Sequence, residues 1–224
     1  LLAAEFLRFA HSQPSVQLCF VDDGSTDQTL SALQALERQA SNITVLHLAS
    51  NSGKGEAVRQ GMLYGMMQPG FEIFGFWDAD LATPLHTLEQ MVGVFQSRKD
   101  ILLIAGSRYL NSGAGIKRTP MRRILGRFFS GLTRLYTGVQ LKDSQCGAKL
   151  FLRNALKVSF NEPFESKWVF DAEVLRRVRK SFGEGAIFEF PLKQWEERGG
   201  GSLKAKHYWR VPLELLKLAL RNSQ

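Results

Sequence analysis

Asp78 and Asp80 stand two residues apart, directly after the apolar run Phe74-Gly75-Phe76-Trp77. Continued as a strand, the alternation turns both carboxylates to one side, roughly 6 to 7 Å apart along the backbone. Such a pair can share one divalent cation, or divide its work between a cation and a sugar hydroxyl. Mg2+ and Mn2+ suit it, because they take oxygen ligands from one or two carboxylates and complete the shell with substrate phosphates and water. Asp-x-Asp by itself also arises by chance in solvated turns. What singles this pair out is its place at the carboxyl end of a buried strand, where open α/β sheets bind ligands.

Other polar groups fall at comparable places. Asp22 and Asp23 close the apolar run 16–21, where carboxylates can accept hydrogen bonds from a base N–H or from ribose hydroxyls. Ser25, Thr26 and Asp27 fit a helix cap. Asn51-Ser52-Gly53-Lys54-Gly55 brings glycines and a cation to a helix N-terminus, which favours anions. It is not a P-loop, since Gly55 stands where Ser or Thr should follow the lysine. Nor is it a dinucleotide fingerprint, since Val58 takes the place of the third glycine. Arg108, after the strand 101–105, offers a planar fork that can meet a diphosphate, a structural salt bridge being the plainer use. Asp171, within Trp168-Val169-Phe170-Asp171-Ala172-Glu173, sits at a helix start as a cap or a site carboxylate. Gly199-Gly200-Gly201 with Ser202 and Lys204 reads as a lid that orders over an anion.

The elements that must position these groups alternate. Strands are expected at 16–21, 43–48, 71–77 and 101–105, with helices at 27–40, 56–67 and 84–96, the last with Thr83 as N-cap and Pro84 as first helical residue. This order predicts an α/β fold with a mostly parallel central sheet and helices on both faces. Further on, a loop is expected at 111–115, a basic helix at 119–136, strands at 147–152 and 186–192, and helices at 170–179 and 211–221. With no repeat and no low-complexity linker, residues 1–224 read as one domain. Residues 1–10 read as an apolar-faced helix without an initiator methionine, so the chain is expected to start inside a longer one.

Of the 224 residues, 44% are hydrophobic and 22% charged, the balance of a soluble globular protein. Cys19 and Cys146 are far apart in apolar contexts, which excludes a disulfide framework and points to a reducing compartment. No apolar run reaches the roughly 18 to 20 residues of a membrane span, and no signal peptide is evident. The net charge of +8 is unevenly placed: seven basic residues and no acidic one lie between Arg108 and Arg134. Within that segment Ile124, Leu125, Phe128, Phe129 and Leu132 share an apolar side, flanked by Arg122, Arg123, Arg127 and Arg134. Large apolar residues beside basic ones describe a helix over 119–137 lying in a membrane interface, a helix packed on the core with a basic outer face being the plainer reading. A nucleic-acid partner is not expected, because no binding module is present and the aromatics cluster apolarly.

Taken in order, VDDGSTDQT, NSGKGEAVRQGM, WDADLATP, GSRY, DSQCGAKLF and WVFDAEVL resemble the family 2 glycosyltransferases, and within them the polyprenyl-phosphate sugar synthases, dolichyl-phosphate β-glucosyltransferase above all. The resemblance spans about residues 16–204. It implies a GT-A fold, a nucleotide-sugar donor (UDP-glucose), Mg2+ or Mn2+, inversion at the anomeric carbon and a polyprenyl-phosphate acceptor at the cytoplasmic face of a membrane. It assigns Asp78 and Asp80 to the metal and diphosphate, Asp22, Asp23 and Lys54 to the nucleotide, and Arg108 to the donor phosphates. Arg123 and Arg127, with Lys204, would grip the acceptor phosphate. A hydroxyl acceptor would instead need a base, for which Asp171 is the candidate. A non-catalytic anion- or membrane-binding module of the same fold is the remaining alternative. Two departures stand out. The family's first strand, central in the sheet and carrying a Pro-x-x-Asn-Glu turn, is missing, and Ala82 replaces a glutamine that some members place two residues after the second aspartate.

Overall fold

Short runs of aromatic and branched residues, separated by amphipathic stretches, set the order of elements. The computed structural model describes residues 2–110, 116–117, 130–166, 169–196, 214–215 and 218. The first half runs α1 (Ala3–Ser12), β1 (Leu18–Asp22), α2 (Thr29–Glu37), β2 (Ile43–His47), α3 (Lys54–Met67), β3 (Ile73–Trp77), α4 (Thr87–Ser97) and β4 (Leu103–Ser107). After β5 (Ile116–Lys117) come a helical stretch over 130–137 (α5), β6 (Ala148–Leu152), α6 (Arg153–Phe160), α7 (Phe170–Phe182), β7 (Ile187–Pro191) and β8 (Trp195–Glu196).

The expected strands are present, each within two residues of its predicted start. The parallel expectation holds for β1 with β2 and for β4 with β7. It fails at β6, which runs antiparallel between β3 and β4 in a sheet of order β3-β6-β4-β7. The polar turn 143–147 lies at the carboxyl end of β3, with Ala148 opposite Trp77, so the strand leaving it must run back the other way. α6 falls where the sequence reading assigns no element. α4 begins at Thr87 rather than Pro84, because Pro84 and Leu85 carbonyls accept from Thr87 and Leu88 in tight turns. Thr83 does not cap it; its carbonyl accepts from the Trp77 indole at 2.7 Å.

Side-chain alternation along the central strands divides the core between two faces. Phe74, Leu103, Ala105 and Phe151 pack under α3, α6 and α7 with Met62, Leu156 and Phe170. Ile104 and Leu150 point the other way, onto Met91 and Phe95 of α4. β1 and β2 share a separate core with α1 and α2, built on Leu33, Leu36 and Ile43 with Leu7 and Phe20 against them. α3 packs on both β1 and β3. Between those two strands no ladder forms among the described residues, and their edges border a cavity of about 700 Å³ lined by Phe20, Val21, Phe74 and Phe76, with Lys54 and Asp78 also on its wall.

Both cysteines are free. Burial pushes each thiol up to about 11. Near pH 8 only roughly one in a thousand would be the reactive thiolate. Iodoacetamide at pH 8 should therefore leave Cys19 and Cys146 unlabelled in the native protein and label both after urea unfolding. Peptide mass spectrometry checks this; fast native labelling of Cys146 would contradict its burial.

Candidate active site

The site grows from the carboxyl end of β3. Asp78 is the last residue held by the ladder, its N–H donating to the Gly147 carbonyl at 2.8 Å. There the chain turns: the Leu81 N–H donates back to the Asp78 carbonyl, and Leu81 adopts a φ of 52°. This left-handed conformation is uncommon outside glycine and marks a tightly determined turn. The Asp80 carboxylate accepts from the Ala82 N–H at 2.9 Å. Strand alternation therefore does not carry Asp80 to the side of Asp78, as the sequence expectation had it; a turn presents both carboxylates instead. Asp78 is half-buried and Asp80 exposed.

Two helix N-termini converge beside this turn. Asp23 fixes the first: its two carboxylate oxygens accept from the Ser52 and Gly53 N–H groups at 2.7 and 2.8 Å, just ahead of α3. Lys54, the first residue of α3, then reaches across so that its Nζ lies 2.5 Å from Asp78 Oδ1. Partial desolvation opposes the lysine charge, yet Asp78, then Asp171 and Asp80, hold its pKa above the ordinary lysine value. The second helix is α7. Its Phe170 side chain packs so closely on Gly55 that a Cβ there would meet the Phe170 Cβ at 3.1 Å and the ring at 3.2 Å, and this contact draws the two N-termini together.

Asp171, in the first turn of α7, is 6% exposed and pairs at 2.5 Å with Lys149, which is fully buried. The Lys149 ammonium also donates to the Cys146 carbonyl at 2.7 Å and lies over the Phe76 ring. One buried cation thus ties α7 to the turn 143–147. That turn bears directly on Asp78, since a Cβ on Gly147 would fall 1.9 Å from its Oδ2.

The remaining sequence candidates separate. Asp22 is buried with Oδ2 2.7 Å from His47 Nδ1. Burial pushes its carboxyl upward, but hydrogen bonds from Ser25 and His47 outweigh this and leave it below the usual range. Through these contacts Asp22 and Asp23 shape the loops around the site. Arg108, expected on donor phosphates, directs its fork at Asp143, with 2.6 and 2.7 Å contacts, and stacks over Trp195. Burial works against its charge, and Asp143 more than restores it, raising the pKa further. The plainer salt-bridge use is the one the structure contains, and it anchors the turn that carries Gly147. Arg123, Arg127 and Lys204 lie outside the described residues. Lys149 and Gly147 were not assigned roles from sequence, although a lysine inside the apolar run Ala148–Leu152 is a signal that could have found the first.

Lys54, Asp78, Asp80, Lys149 and Asp171 are the groups brought together. Among the described residues no group of three or more His, Cys, Asp or Glu is placed to hold a metal ion. Asp78 and Asp80 still fit a hard cation: both are oxygen donors, both are open to solvent, and Mg2+ or Mn2+ needs no more than one or two protein carboxylates when phosphates and water supply the rest.

This geometry is that of a GT-A domain, and the chain belongs to glycosyl transferase family 2, whose sequence model matches residues 3–160. A dolichyl-phosphate beta-glucosyltransferase of Trichomonas vaginalis is 30% identical over 221 residues, covering 95% of this chain and 64% of the relative. The Homo sapiens protein of that name is 30% identical, covering 92% and 64%, and that of Saccharomyces cerevisiae 31% identical, covering 84% and 59%. The chain thus spans about three-fifths of the length of the curated relatives it matches. Among solved structures, glucosyl-3-phosphoglycerate synthase of Mycobacterium tuberculosis in complex with Mn2+, uridine diphosphate and phosphoglyceric acid superimposes with a TM-score of 0.69. That match is 19% identical and covers 98% of this chain and 73% of the other, a likeness of fold.

Proposed function

We propose that this chain moves glucose from UDP-glucose to a polyprenyl phosphate such as dolichyl phosphate, with inversion, at the cytoplasmic face of a membrane. The observation that carries the reading is the convergence of Lys54, Asp78, Asp80 and Asp171 at the carboxyl end of β3, beside the N-termini of α3 and α7. A divalent cation held by Asp78 and Asp80 supplies charge stabilisation for the departing diphosphate. The chain's own residues do the rest. Lys54 and the N-terminal end of α3 attract the same diphosphate. The acceptor phosphate oxygen forms a bond to the anomeric carbon from the face opposite the leaving nucleotide, and the glycosidic C–O bond to the diphosphate breaks.

The placement of Asp171 supports a phosphate acceptor over a hydroxyl. An acceptor phosphate is already anionic and needs positioning, not a base. Asp171, the candidate base, is buried with Oδ1 committed to Lys149. Arg123, Arg127 and Lys204 are the proposed grip on that phosphate. The names of the relatives support the same acceptor class. For membrane contact, the described end of the basic helix offers an exposed Leu135 beside an exposed Arg134, while Ser130, Thr133 and Thr137 are buried. Among the described residues no helix is long and apolar enough to cross a membrane.

The test is a panel of UDP- and GDP-sugars with Mn2+ and polyprenyl phosphate, scored for lipid-linked product, with calorimetry of UDP in the presence and absence of Mn2+. UDP-glucose should give product, and UDP should bind at least about tenfold more tightly with the cation. Metal-independent or absent UDP binding would refute the enzyme reading for this chain and leave an anion-binding module.

A further inference from the structure

Lys54 occupies a position that the nucleotide reading does not account for. Its ammonium is not turned toward open solvent at the helix end; it lies 2.5 Å from Asp78 Oδ1, one of the two carboxylates proposed to hold the cation. Its start point is fixed. Asp23 clamps the two preceding N–H groups, and Gly55 is pressed on Phe170, so only the lysine side chain is left to move. That side chain is half-exposed, with 51% of its surface accessible, so it can leave Asp78 without unfolding anything. Asp80 and Asp171 add to the negative field around it. Asp171 has its own cation in Lys149; Asp78 and Asp80 have Lys54.

We infer that Lys54 is an exchangeable counterion: it neutralises Asp78 while the metal is absent, and yields that carboxylate when a divalent cation arrives together with the donor diphosphate. This deepens the proposed function and rests on it. Two cations cannot share the same carboxylate oxygen without repulsion, so Lys54 opposes binding of the metal alone. A diphosphate changes the balance, because it offers the displaced ammonium new oxygens at the helix N-terminus while also ligating the metal. Lys54 thereby couples the two ligands, and the coupling must be reciprocal: whatever UDP adds to metal affinity, the metal adds to UDP affinity. The partly exposed setting keeps the effect modest, since solvent screens such pairs.

Mn2+ titrated alone, by calorimetry or by the loss of its free electron-paramagnetic signal, reads this directly. Lys54→Met and Lys54→Gln sit at a surface position and should fold as the wild type does, which circular dichroism checks. Both should bind Mn2+ alone about three- to tenfold more tightly than wild type. In both, the factor by which UDP raises Mn2+ affinity, and Mn2+ raises UDP affinity, should shrink by at least as much. Unchanged or weaker Mn2+ binding in the variants, with wild-type Mn2+ binding intact in the presence of UDP, overturns the inference about Lys54 alone. No Mn2+ binding by any of the proteins, with or without UDP, overturns the metal reading of Asp78 and Asp80 and the inference with it.

Discussion

Lys149→Met is expected to lower the unfolding free energy by about 3–5 kcal/mol in urea denaturation, the range found when one partner of a buried ion pair is removed. The reason lies in what remains. Lys149 is wholly inaccessible, and its ammonium is the cation 2.5 Å from the buried Asp171 carboxylate. Methionine matches the lysine stem in length but leaves Asp171 as a buried charge without that cation, and leaves the Cys146 carbonyl without its 2.7 Å donor. Removing both charges tests the account. Lys149→Met combined with Asp171→Leu should recover most of the lost stability, because apolar replacements of a buried pair are commonly neutral or better. A single-variant loss below about 1 kcal/mol would mean that the pair is far more hydrated than its burial indicates.

Gly147→Ala is expected to act in the opposite way, sparing the fold and damaging the site. An added methyl would sit 1.9 Å from Asp78 Oδ2 and 2.1 Å from its Cγ. These atoms form the end of a short side chain, so Asp78 can rotate away at little cost. Gly147 is not among the glycines with positive φ, so alanine strains no backbone there. Unfolding free energy should change by no more than about 1 kcal/mol. The carboxylate, however, would no longer point where Asp80 and Lys54 converge, and a shift of about 1 Å in a positioned group can cost roughly 10²-fold in rate. Transferase assays should show a loss of that order, and the Mn2+ dependence of UDP binding should weaken. Full activity in a folded Gly147→Ala protein would overturn the proposed role of Asp78.

The two variants separate what was legible in the sequence from what was not. Strand positions are readable because buried strands are short, apolar and rich in branched or aromatic residues, as 43–48 and 71–77 are. The direction of β6 is not, since periodicity carries no sign of which end a strand enters from. Asp78 and Asp80 were found as a pair, but extending the strand to Asp80 overlooked the turn closed by Leu81 and Asp78. Arg108 was recognised as a fork without its partner, because Asp143 lies 35 residues along the chain and only the fold brings it near. Lys149 shows the same limit most sharply. A lysine among apolar neighbours announces an unusual position, but the carboxylate that explains it comes from another helix. Residues whose role depends on a local pattern were readable; those whose role depends on a distant partner were not.

The cavity between β1 and β3 has a consequence for how the molecule holds together. α1, α2, β1 and β2 have a core of their own, and α3 leans on both strand edges where, among the described residues, no ladder joins them. Asp22 and Asp23 belong to the first of these units, Asp78 and Asp171 to the second. Such a protein need not open all at once; parts with separate cores can exchange with solvent on different schedules. A ligand that touches both sides acts as mortar, and its free energy of binding becomes part of the free energy of cohesion. A nucleotide bound in the cleft is therefore expected to raise the unfolding midpoint of this chain as its concentration rises.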